Sequence, residues 1–197
     1  MVHDTALGAQ TLARIEAARD RFVLITGCSG GGKSALLQEL ARRRLATCEE
    51  PGRIIVREET ASGGDALPWT NPAMFAERAA RLSLADLAHA AKRDGITVFD
   101  RGLVDAVCAM ERMKLAIPPD IADAFARCRY ARTVLLAPPW EDLFETDSER
   151  KHGFAEAVEE YEHLAKRLPE LGYDVLMLPK VSVEARADFV AARIGSG

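Results

Sequence analysis

Residues 27–34, Gly27-Cys28-Ser29-Gly30-Gly31-Gly32-Lys33-Ser34, match the pattern G-x-x-x-x-G-K-[ST]. The pattern dictates a local fold as much as a chemistry. Glycines let successive backbone N–H groups turn inward around an anion, where side chains would crowd it. A helix must begin at the closing Lys-Ser, so that its positive dipole end faces the same anion. In such a loop Gly27, Ser29, Gly30, Gly31 and Gly32 wrap a phosphate chain, Lys33 neutralises the β- and γ-phosphates, and the Ser34 hydroxyl ligates Mg2+. The flanks agree. Residues 21–26 form an apolar run that stops at glycine, the mark of a buried strand. Residues 33–44 place Leu36, Leu37 and Leu40 on one helical face. At average residue frequencies a chance match in a chain this long has odds on the order of 1 in 100.

The rest of the chain repeats the strand–helix alternation. Residues 4–20 read as a short helix with Leu12 and Ile15 inward, and residues 45–48 as a short strand. Ile54-Ile55-Val56 is β-branched and strand-like, but Pro51 suits a first helical turn, and the helix reading is preferred. Residues 62–68 form a loop, and residues 72–93 a long helix ended by Asp94-Gly95. Strands follow at 96–99, ending at Asp100, at 132–137, stopped by Pro138-Pro139, and at 174–178, stopped by Pro179. A helix at 183–194 closes the chain. Strand and helix alternate about five times. This predicts an α/β fold, a five-stranded parallel sheet in a three-layer α/β/α sandwich. One domain is expected over residues 1–197, with its core at 20–194. A small helical lid is expected at about 141–153, and an acceptor-site cover at about 62–93.

Composition excludes several alternatives. The chain has 197 residues, 48% hydrophobic and 28% charged, enough to bury a core without disulfide or metal staples. A net charge of −4 without a basic, aromatic-laced stripe argues against nucleic-acid partners. The longest apolar runs are strand-length, so no membrane partner is expected. His3 and Asp4 stand where a signal sequence would carry its apolar core, which points to the cytoplasm. Cys28, Cys48, Cys108 and Cys128 form no CxxC pair and read as reduced thiols. Cys28, inside the glycine loop, is either a small filler or a redox-sensitive thiol acidified by the helix N-terminus. Nothing in the sequence sets the oligomeric state.

Asp100 ends an apolar strand, where a carboxylate can organise magnesium, or alternatively cap a helix. Hydrolytic ATPases of the AAA type carry a glutamate next, to activate water. Here Arg101 follows, and a cation suits gripping a transferring phosphate instead. The guanine-reading Asn-Lys-x-Asp segment of GTP switches is absent: the single asparagine, Asn71, precedes Pro72. A phosphoryl transferase also needs a carboxylate beside the acceptor hydroxyl, and Glu49 and Glu50 follow the second strand. It needs lid cations too. Arg150 and Lys151 are candidates, although Glu145, Asp147 and Glu149 around them also fit a solvated helix face. The expected activity is transfer of the ATP γ-phosphate to a small-molecule acceptor. A slow ATPase, or a nucleotide-dependent regulatory module without an acceptor, remains open.

These residues together resemble a P-loop family of small AAA-like ATPase or kinase domains related to the NadR nicotinamide-riboside kinase domain. The resemblance spans about residues 20–194. Besides the loop it is carried by Glu50-Pro51-Gly52-Arg53, residues 63–69, Asp100-Arg101-Gly102 with Asp105, Pro138-Pro139-Trp140, Asp147 with Arg150, and Leu171-Gly172-Tyr173. It implies a Glu-x-x-Arg after the second strand, which favours Glu50 as the catalytic carboxylate and Arg53 as a substrate ligand. It places residues 63–69 over the acceptor pocket, with Trp69 stacking on a ring and Asp65 near a sugar hydroxyl; both also suit plain loop anchoring. Asp105 joins the substrate set. Lys33, Glu50, Asp100, Arg101 and Arg150 become the catalytic set, Ser34 and Asp100 the magnesium set, and ATP the donor. The nicotinamide-riboside pocket itself has no recognisable counterpart here.

Overall fold

The computed structural model describes residues 7–143 and 153–194. Among these residues the five strands are β1 (Phe22–Gly27), β2 (Ala46–Cys48), β3 (Thr97–Asp100), β4 (Thr133–Ala137) and β5 (Asp174–Met177). They form one parallel sheet in the order β2-β3-β1-β4-β5. Among the described residues the eight helices are α1 (Ala9–Ala18), α2 (Lys33–Arg42), α3 (Pro51–Ser62), α4 (Pro72–Ala90), α5 (Leu103–Arg112), α6 (Pro119–Arg127), α7 (Phe154–Glu170) and α8 (Val183–Ile194).

The strands read as unbroken apolar runs because both faces are covered. Side chains still alternate. Phe22, Leu24, Phe99, Val134 and Leu136 pack on one face with α1, α4, α5, α6 and α7. Ile25, Val98, Leu135 and Ala137 pack on the other with α2 and α8. The first layer is anchored by edge-to-face rings, Phe22 on Phe99 at 5.7 Å and Phe99 on Tyr130 at 5.3 Å between centroids. The second is thinner, built on Leu36, Leu37 and Leu40 of α2 against Ala187 and Val190 of α8.

The ambiguous Ile54–Val56 stretch is helical. Pro51 opens α3, and Ile55 and Val56 are buried, so the β-branched residues serve packing rather than a ladder. Gly63, at φ +70°, ends α3 in the left-handed conformation that glycine tolerates. Asn71 caps α4 by accepting from Met74 N at 3.2 Å, ahead of Pro72. Helix α4 stops at Ala90, three residues short of the expected end, and α1 is shorter than residues 4–20. Helices α5, α6 and α7 fill the stretches that the sequence pattern left unassigned. Of the expected lid, Glu141–Leu143 is a single 3-10 turn, and residues 144–152 lie outside the described residues. Among the described residues no helix is long and apolar enough to cross a membrane.

Candidate functional site

In a parallel sheet of this type, ligands sit beyond the carboxyl ends of the strands where the winding reverses. Here that point is β1, which lies between β3 and β4. The glycine loop leaves the end of β1. Gly27 has φ +110°, and a Cβ there would stand 2.4 Å from Ala137 O of β4. The loop therefore requires glycine at the point where it breaks from the sheet. Gly30 and Gly32 are also left-handed, at φ +80° and +71°. Lys33 begins α2 and is buried, its Nζ donating to Cys28 O at 2.9 Å and approaching Gly27 O at 3.4 Å. Burial lowers its pKa, and the Arg101 guanidinium lowers it further. Cys28 is fully buried, its thiol donating to Ser29 O at 3.2 Å.

Ser34 Oγ donates to Asp100 Oδ2 at 3.3 Å, which joins the first turn of α2 to the end of β3. Asp100 Oδ1 is buried with no hydrogen-bond partner. Desolvation, and next the nearby Glu50 charge, push the Asp100 pKa up to about 6. A buried carboxylate with one oxygen unmatched, beside a hydroxyl and a helix N-terminus, is a donor set for a hard cation. The sequence-derived pair Ser34 and Asp100 thus fits magnesium.

Arg101 is the hub of the other side. Its backbone sits in the left-handed region at φ +60°, unusual for a residue with a side chain, and is held by donation to Ile25 O at 2.8 Å. Its guanidinium is shared by three carboxylates. Nη1 lies 3.2 Å from Asp105 and 2.9 Å from Glu160, Nη2 lies 3.2 Å from Glu160, and Nε lies 3.3 Å from Glu50. Glu50 is ion-paired to Arg53 as well, at 3.4 Å. Asp105 also accepts from Gly102 N at 2.9 Å and from the Thr26 hydroxyl. Burial raises its pKa, against the opposing pull of Arg101. Behind this cluster the Tyr130 hydroxyl accepts from Leu103 N at 3.0 Å, and a Cβ on Gly102 would collide with that oxygen.

Two cavities open from the loop. The first, of about 200 Å³, is bounded by Ser29, Glu50 and Arg53, by Phe75 of α4, and by Arg101 and Asp105. The second, of about 440 Å³, is bounded by Gly32, Ala35, Trp140, Leu143, Val181 and Arg186. Arg186 is buried, donates to Gly31 O at 3.0 Å, and lies 5.9 Å from the Trp140 ring. Its own desolvation lowers its pKa.

The structure therefore brings Gly27–Ser34, Glu50, Arg53, Asp100, Arg101 and Asp105 into one region. It leaves Asp65 and Trp69 outside the walls of the first cavity: both are exposed, and from their segment Pro68 forms the wall. A five-residue reach from Ser62 to Pro68 cannot turn every side chain inward, and the wall position falls to the proline that precedes α4. Arg150 lies outside the described residues. Two residues went unremarked in the sequence. Arg186 stands on the apolar stripe Val183, Ala187, Val190 of α8, and Glu160 on the stripe Ala157, Leu164, Leu168 of α7. A charge on a core-facing stripe was the available signal.

The fold and this loop define a P-loop protein with the fold of nucleoside and nucleotide kinases. Residues 22–186 match the family described as an AAA domain, and the chain belongs to that family. Among solved structures it is similar to the deoxyadenosine kinase from M. mycoides with bound dATP, at 14% identity and a TM-score of 0.64, covering 89% of this chain and 100% of that one. It is similar to the NadR protein in complex with NR, at 18% identity and a TM-score of 0.62. That match covers 93% of this chain and 54% of the other, so the chain spans about half of NadR. It is also similar to thymidylate kinase from Ehrlichia chaffeensis, at 13% identity and a TM-score of 0.54, covering 89% of this chain and 98% of that one. No curated protein matches it.

Proposed function

We propose that the chain binds MgATP on the loop and transfers its γ-phosphate to a small acceptor held in the 200 Å³ cavity. The observation that carries this reading is the pair of cavities flanking one loop, with Ser29 on the wall of one and Gly32 on the wall of the other. A hydrolase needs room for a nucleotide and a water. A transferase needs a second, shaped cavity on the far side of the phosphates. The deoxyadenosine and thymidylate kinases that share the fold support the same reading.

The donor base would enter between Trp140, Leu143 and Val181, with the triphosphate running along the loop. Lys33 would leave the Cys28 and Gly27 carbonyls for the phosphates, a short move for a buried ammonium. Ser34 and Asp100 would hold magnesium, which when bound neutralises charge on the phosphate oxygens. Glu50 would orient the acceptor hydroxyl and take its proton, with Arg53 and Arg101 fixing its two oxygens. Arg101 supports this chiefly by positioning Glu50, since its guanidinium is already shared among three carboxylates. Arg150 is proposed as a further cation for the phosphates.

The test is ADP release from MgATP by the purified protein, against nucleosides, nucleoside monophosphates, nicotinamide riboside and other small metabolites. Stimulation by one compound, with a new phosphorylated product, is the expected outcome. Tight ATP binding with no stimulation by any of them would leave a nucleotide-dependent module and sink the kinase reading.

A further inference from the structure

The 200 Å³ cavity runs along α5. Asp105, Ala109 and Arg112 line it at successive turns. Arg112 lies seven positions beyond Asp105 on the helix, a rise of about 10 Å. Opposite them run Ala76, Ala79 and Ser83 of α4, a stripe of small side chains that keeps the cavity open. The two ends differ in charge. Near the loop, Glu50, Asp105, Glu156 and Glu160 face the cavity against Arg53 and Arg101, four carboxylates to two guanidiniums. At the far end stands Arg112. Among the described residues no carboxylate pairs with it, and its Nε is buried with no hydrogen-bond partner. Ser83 spends its hydroxyl proton on Ala79 O at 2.7 Å and so presents only acceptor lone pairs there.

Resting on the kinase reading above, we infer that the acceptor presents an uncharged hydroxyl to Glu50 and carries a carboxylate, or a comparable anionic oxygen, about 10 Å away for Arg112. A phosphate already present at the reacting end would face the carboxylate excess, and like-charge juxtaposition is how a site rejects a near relative of its substrate. A remote anion gives Arg112 the partner that the described residues do not provide. The acceptor is thereby a nucleoside-like or comparable elongated alcohol with a remote acid, not a nucleoside monophosphate.

The experiment compares kcat/KM for nucleosides and their 5′-monophosphates, and for nicotinic acid riboside against nicotinamide riboside, a pair that differs in a ring carboxylate. The unphosphorylated and carboxylate members are expected to lead by about tenfold or more. Arg112→Met is expected to raise KM for the carboxylate member about tenfold, with kcat within threefold and with little change for the carboxamide. Arg112→Lys should recover part of the loss and serves as the control if the methionine variant is poorly folded. Faster turnover of monophosphates would overturn the inference while leaving the kinase reading intact. Equal effects of Arg112→Met on both ribosides would overturn the role of Arg112 alone. Failure of every acceptor despite ATP binding would overturn both readings.

Discussion

Replacing Arg101 tests how the site is held together. Its side chain is 9% exposed and touches Glu50, Asp105 and Glu160, whose side chains are 22%, 7% and 26% exposed. Arg101→Met keeps most of the volume and removes the charge. Removing one partner of a buried ion pair costs about 3–5 kcal/mol when the other stays buried. Glu50 and Glu160 have some solvent to turn to, and the desolvation of Arg101 itself is relieved, so the lower end applies, about 3 kcal/mol. Urea unfolding at pH 7.5 followed by circular dichroism reads this directly. The pH dependence gives a second check. In the variant Asp105, whose pKa burial already raises, loses the opposing pull of Arg101, so its folded pKa rises further above the unfolded one. A raised carboxylate binds its proton more readily in the folded state, so stability must be recovered as pH falls through the raised value and lost as it rises. The deficit of the variant should therefore shrink between pH 7.5 and pH 5. Arg101→Lys, with the charge but not the fork, should fall between the two proteins. A loss below 1 kcal/mol at pH 7.5, or a deficit that grows on acidification, would refute the view that Arg101 binds the carboxylates together.

The remaining predictions address the loop and its two flanks. Gly27→Ala should cost about 3 kcal/mol or more and abolish ATP binding, because the Cβ meets Ala137 O at 2.4 Å and φ is +110°; a normal melting temperature would show that β1 and β4 can separate freely. Asp100, raised to about 6 by burial, should make magnesium-dependent ATP binding fall as pH drops through that value, while Asp100→Asn should stabilise the magnesium-free protein at pH 7.5 by on the order of 2 kcal/mol; isothermal titration and thermal melts measure the two, and pH-independent binding from 5 to 8 would count against the role of Asp100. Arg186→Leu should weaken ATP about tenfold without loss of stability in its absence, since it removes a buried charge that no carboxylate among the described residues offsets; unchanged affinity with a destabilised fold would make Arg186 a structural residue.

The parts of the fold that were legible in the sequence are those written by local physics. Strand β1 and helix α2 are fixed by an apolar run, a glycine break and a leucine stripe, all within residues 21–44. Helix α8 runs over the residues that its pattern picks out, Val183–Ile194. Helices α5 and α6 were not read, although α5 is among the most buried segments: seven of its ten residues are buried. The signal was there: the apolar positions of α5 alternate at the helical period with Asp105, Glu111 and Arg112, so the helix was legible and was passed over. The Ile54–Val56 stretch shows the converse, where β-branching suggested a strand and the proline at the first turn, together with packing against α4, decided for helix.

The site divides along the same line. Lys33, Ser34 and Asp100 are positioned by the ends of elements whose ends the sequence marks, and the structure brings them to within hydrogen-bonding range of one another or of the loop. Trp69 and Asp65 were placed by the family resemblance, and a loop gives no rule for which side chain turns inward. Glu160 and Arg186 reach the site from α7 and α8, more than 120 residues beyond the loop. No motif joins them to it; only the sheet order does, by laying α7 over β1 and α8 against α2. What marks them is a cost: each puts a charge where its helix otherwise buries carbon, and a helix that could have kept an aliphatic residue there retains a charge only if something at that position answers it. For Glu160 the answer is Arg101, within the protein. For Arg186 the partners found are two loop carbonyls and an aromatic ring, which satisfy hydrogen bonds but not the charge. Among the described residues no carboxylate answers that charge, and the triphosphate proposed for the loop is an anion of the right kind in the right place.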